Sequence, residues 1–60
     1  MAAHGFIDGL RNRIDSLEMA IERWQDAMDE TSDPITLEAY QDNITQAELE
    51  IHEIQTFLAS

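Results

Sequence analysis

IDGLRNRIDSLEMAIERWQDAM, residues 7–28, sets its large apolar side chains at Ile7, Leu10, Ile14, Leu17, Ile21, Trp24 and Met28. The intervals alternate between three and four residues from end to end, so these side chains line one stripe of an α-helix. A strand would instead alternate apolar and polar residues, and this stretch does not. In heptad lettering, Ile7, Ile14, Ile21 and Met28 occupy position a and Leu10, Leu17 and Trp24 occupy d, the pattern by which helices pack side by side.

The stripe ends at Thr31-Ser32-Asp33-Pro34. Asp33 suits the N-cap of a following helix, and Pro34 suits its first turn, where a missing amide hydrogen is no loss and φ is already helical. Beyond it, Leu37, Tyr40, Ile44, Ala47, Ile51, Ile54 and Leu58 repeat the same alternation. So short a connection forces neighbouring helices to run antiparallel. The sequence therefore predicts an all-α antiparallel hairpin, with a helix over about 6–30, a turn over about 31–33 and a helix over about 34–59.

The whole chain, 1–60, is expected to form one domain, with residues 1–5 as a frayed lead-in. Asp8 is expected in the first turn of the first helix, at the positive end of its dipole. Gly9 costs about 1 kcal/mol relative to alanine inside a helix. The turn brings Trp24 towards Leu37 and Tyr40, Leu17 towards Ile44 and Ala47, and Ile7 towards Ile54 and Leu58. Arg13 is expected beside Glu48 and Glu50, in an exposed contact of small energetic weight.

A folded chain of sixty residues buries only about 60% of the surface its unfolded form exposes. Short domains are commonly reinforced by disulfides, a metal or oligomerisation, and the absence of cysteine removes the first and any thiolate zinc site. Apolar residues also lie off the seams: Phe6, Ala20, Ala27 and Phe57 at g, and Met19, Ile35 and Leu49 at f. Two copies packed seam to seam would cover the a, d and g positions in a four-helix bundle or a larger helical assembly. The fourteen seam residues named above are the expected oligomer interface.

Thirteen acids against three arginines, with no lysine, give a formal charge of -10. That balance excludes direct nucleic-acid binding, which needs a basic footprint, and it favours a partner with a basic surface. No run of about 18 apolar residues is present to cross a membrane, no basic amphipathic face to lie on one, and no signal-peptide pattern at the start. The expected location is cytoplasmic, or a host's cytoplasm for a phage-encoded protein.

No metal site, cofactor or catalytic site is expected. No carboxylate falls at a or d, where a di-metal bundle would need one. Glu48 and His52 stand one turn apart but off the seam, and His4 is isolated near the start. Ser16, Ser32, Thr36 and Thr45 lack a local histidine and acid arrangement, and no glycine-rich phosphate loop is present.

The function expected is thus a non-enzymatic, homo-oligomerising interaction module that binds or inhibits another protein. Glu38, Asp42, Glu48, Glu50 and Glu53, with the apolar Met19 and Leu49, are its candidate partner-binding residues. One alternative is a nucleic-acid-mimicking inhibitor of a basic site, of the phage or mobile-element type, because carboxylates fixed on a rigid rod can imitate the spacing of phosphates. Another is a structural scaffold in which hairpins pack through Met19, Ile35 and Leu49.

Overall fold

The computed structural model describes residues 2–60, with side-chain surroundings given from Gly5 onward. Two helices, α1 (Ala2–Glu30) and α2 (Pro34–Ala59), form an antiparallel hairpin 48 Å long and only 16 × 12 Å across. α2 spans the range expected from its sequence. α1 begins at Ala2, ahead of the expected start near Phe6, so the lead-in is helical as far as it is described, and Met1 lies outside the described residues. Ala2 and Ala3 favour this extra turn intrinsically. Gly5 and Gly9 keep ordinary negative φ angles and are accommodated without a break. Asp8 consequently stands in the second turn, away from the positive helix end where it was expected.

The three-residue connection, Thr31 to Asp33, is fixed by its own side chains. The Thr31 amide donates to the Met28 carbonyl at 3.4 Å, closing the end of α1, and the Asp33 amide donates to Thr31 Oγ1 at 3.3 Å. Asp33 is the N-cap of α2, with Pro34 directly following in the first turn. Its Oδ2 accepts from the Thr36 amide at 3.2 Å and from Thr36 Oγ1 at 2.6 Å. The hydroxyl bond from Thr36, with support from the amides of Thr36 and Ile35, holds the Asp33 carboxyl below its ordinary pKa despite some opposing desolvation. At the far end Ser60 caps α2, its amide donating to the carbonyls of Thr56 and Phe57.

The core is thin. Among the described residues only Leu17, 8% exposed, and Ala47, 4% exposed, are buried apolar residues. Both are d residues at mid-hairpin. The remaining seam residues are half-buried, except Ile7, which is exposed.

Two outcomes test this account of the helices. Asp33→Ala should lower the melting temperature by on the order of 5 °C at neutral pH, measured by circular dichroism. Because folding lowers the Asp33 pKa, its contribution is present above the unfolded-state value and fades as pH falls through the folded one, so the deficit should narrow in acid. An unchanged deficit in strong acid would show that the carboxylate is not the cap. Gly9 has a helical backbone and open space around the position of a Cβ. Gly9→Ala should therefore stabilise the hairpin by about 0.5–1 kcal/mol in a denaturant titration.

Candidate functional site

The register of the hairpin is read from two contacts between g positions. Arg13 Nε donates to Glu50 Oε2 at 2.6 Å, and its Nη2 donates to Oε1 at 3.4 Å. Phe6 and Phe57 meet edge to face with ring centroids 5.9 Å apart. In both pairs the residue numbers add to 63, which sets Ala20 opposite Asn43 and Ala27 opposite Thr36 in the same row. The g rows of both helices therefore border one side of the hairpin, and the e rows border the other.

Of the two acids expected beside Arg13, Glu50 is its partner and Glu48 is not. Glu50 stands at g, whereas Glu48, at e, belongs to the opposite side. The bond from Arg13 holds the Glu50 carboxyl below its ordinary pKa, and Glu50 in turn raises Arg13. Both side chains remain largely in water, so the pair aligns the helices more than it stabilises them.

The two sides differ in chemistry. On the e side, Arg11, Glu18, Gln25, Gln41, Glu48 and Gln55 are all exposed. Behind them at b stand Asp8, Asp15, Glu22, Asp29 and Glu38, also exposed, so this flank carries seven acids against Arg11 alone. On the g side the flank from g to c holds Arg13, Arg23, Glu30, Glu50 and Glu53, a net of -1. Its g row includes Phe6, Ala20, Ala27 and Phe57, and the alanines are half-buried.

The g side is also concave. A groove of about 370 Å³ is floored by Leu17, Trp24 and Ala47 and walled by Asn43, Glu50 and Glu53. A second, of about 290 Å³, lies under Phe6 and Phe57 and is floored by Leu10 and Ile54. Glu50 and Glu53 border both, so the two run into one another along the hairpin. Phe6 and Phe57, although in contact, are each 57% exposed.

The five carboxylates singled out on α2 do not share a face. Glu50 is engaged by Arg13 and Glu53 rims the grooves, whereas Glu38 and Glu48 belong to the e flank and Asp42 points away from α1. Met19 and Leu49 are both exposed at f, but Leu49 also lines the 370 Å³ groove with Glu50 and Glu53, whereas Met19 borders neither groove. The acidic row at b of α1, Asp8, Asp15, Glu22 and Asp29, was visible as a seven-residue spacing but acquires meaning only once α2 adds Glu38 and Glu48 to the same side. Among the described residues, no three histidine, aspartate or glutamate side chains converge as a metal site, and no helix is long and apolar enough to cross a membrane. No protein-family model, curated protein or solved structure matches the chain.

Proposed function

We propose that this chain is a non-enzymatic interaction module that self-associates into a helical bundle and, in that form, binds another protein. The observation that carries the reading is the unfinished core: of fourteen seam residues, only Leu17 and Ala47 are buried within the hairpin. Surface area supports it. A compact monomer of 6.9 kDa exposes about 4,000 Å² by the scaling that globular proteins follow. This hairpin exposes 4733 Å², an excess on the order of 700 Å². One partner in a standard protein interface buries about 800 Å².

Self-association is tested by sedimentation velocity over a concentration series, with thermal melts at the same concentrations. The expected result is a species of at least two chains at micromolar concentration, with a melting temperature that rises with concentration. A folded monomer with a concentration-independent melt would overturn the reading.

A second reading, inhibition of a basic site by nucleic-acid mimicry, is favoured by one specific arrangement. Asp8, Asp15, Glu22 and Asp29 recur every seven residues along α1, about 10.5 Å apart at the rise of a helix, beside Glu38 and Glu48 of α2. A partner held by this flank should lose most of its affinity between low and high salt. It should also be released by neutralising Asp15 and Glu22 together. Capture that is indifferent to both would leave the acidic flank a solvated surface.

A further inference from the structure

We infer that the g side of the hairpin is its self-association face, and that a second copy of the chain seats there in the reversed direction, with the two turns at opposite ends. This rests on the self-association proposed above and specifies its geometry.

Charge selects the side. A chain of net charge -10 can dimerise only where little of that charge is brought together. On the g row the charges are Arg13 and Glu50, already paired with each other. The opposite side also offers half-buried aliphatic residues at a. Two copies meeting there would bring together the flanks that each hold seven acids against one arginine.

Shape points the same way. A helix of a second hairpin packing on the g side meets two adjoining depressions floored by the d residues Leu10, Leu17, Trp24, Ala47 and Ile54, in a row where Ala20 and Ala27 are small and half-buried. On the other side it would first meet Arg11, Glu18, Gln25, Gln41, Glu48 and Gln55, all long and polar. The exposed faces of Phe6 and Phe57 also lie on the g side.

The profile along the groove sets the direction. From the open end towards the turn, the facing g pairs run Phe6 with Phe57, Arg13 with Glu50, Ala20 with Asn43 and Ala27 with Thr36. In the reversed arrangement the aromatic pair of one copy lies over the Ala27 and Thr36 level of the other, and the ion pair lies over the Ala20 and Asn43 level. Large then meets small at every level, and the rods stay evenly spaced. With both turns at the same end, four phenylalanines would meet at one end and four small residues at the other, so the rods would splay.

Electrostatics adds to this. Asp26, Asp29, Glu30, Asp33 and Glu38 crowd the turn end beyond Arg23, the last basic residue before the turn. Reversal places the two clusters at opposite ends of the 48 Å hairpin, farther apart than the roughly 8 Å screening length of physiological salt.

The test combines two variants with one distance. Ala20→Glu adds a carboxylate to the g face, and Gln25→Glu adds one to the e face. Sedimentation equilibrium should show self-association weakened about a hundredfold or more by Ala20→Glu and little changed by Gln25→Glu. Independently, the cysteine-free chain accepts a single spin label through Ser32→Cys in the turn. Electron–electron resonance in the self-associated protein should then give a label separation of about 40 Å, close to the hairpin's length. Disruption by Gln25→Glu with Ala20→Glu tolerated would move the interface to the other side. A label separation of about 20 Å or less would overturn the reversed direction. Either result leaves self-association standing, whereas a wild-type chain that stays monomeric at high concentration removes both. Should Ala20→Glu fail to fold, the label distance and the Gln25→Glu variant still decide.

Discussion

Two helices side by side can enclose very few side chains, and most features of this molecule follow from that limit. A residue between them has protein to its left and right, but water remains above and below in a layer 12 Å thick. Among the described residues, only at Leu17 and the small Ala47 does the layer shut water out. Everywhere else the apolar stripes are partly wet. Hydrophobic stabilisation scales with the apolar area removed from water, so a half-open core supplies correspondingly less. At sixty residues the backbone entropy lost on folding leaves little margin for such a shortfall. The second layer proposed above would answer a shortfall that belongs to the architecture itself.

The acidic excess looks at first like an obstacle to adding that layer. Its distribution removes the difficulty. Five of the thirteen acids stand at b and two at e, all on one side, while the g row is neutral because Arg13 and Glu50 cancel. Like charges kept on an outward flank discourage non-specific association there and leave the opposite side open to a like-charged copy. The same segregation gives an associated form a strongly negative outer surface, the property a basic protein partner would recognise. In the function proposed above, self-association and partner binding would use opposite sides and would not compete.

Much of the fold could be read from residue types alone, because the signals were local. The alternation from Ile7 to Met28 and from Leu37 to Leu58 fixes two helices, and Asp33-Pro34 fixes where the second begins. The start of α1 was harder to place. Gly5 and Gly9 weaken helix propensity, and nothing local in the sequence shows that neighbouring alanines carry the helix through them. The surface was the least legible part. Whether Arg13 meets Glu48 or Glu50 follows only when the two helices are lettered together: with the stripes facing and the helices antiparallel, g lies beside g, which selects Glu50. The choice decides which flank of α1 joins which flank of α2. A list of acids on α2 therefore mixed residues from both sides, and the acidic row of α1 went unassigned until its neighbours were known.

That choice also bears on how the hairpin keeps its register. The seam residues are mostly Ile and Leu, so a shift of one helix by a heptad would exchange similar side chains at little loss. The g row is not so forgiving. A shift that lowers the residue sum by seven would set Phe6 against Glu50 and Arg13 against Asn43, and the opposite shift would set Arg13 against Phe57 and Glu50 against Ala20. Each alternative breaks the ion pair and parts the two rings. Neither contact stabilises the hairpin greatly while exposed, since water replaces much of what is lost. Their weight grows when a second layer covers the g row, because a charge separated from its partner under that layer is costly. The Asp33 cap and the short turn set the register locally from one end, while Arg13 with Glu50 and Phe6 with Phe57 check it from the other. In the proposed bundle, register and closure would therefore reinforce one another: the pairing that neutralises the face is the pairing that would allow it to be covered.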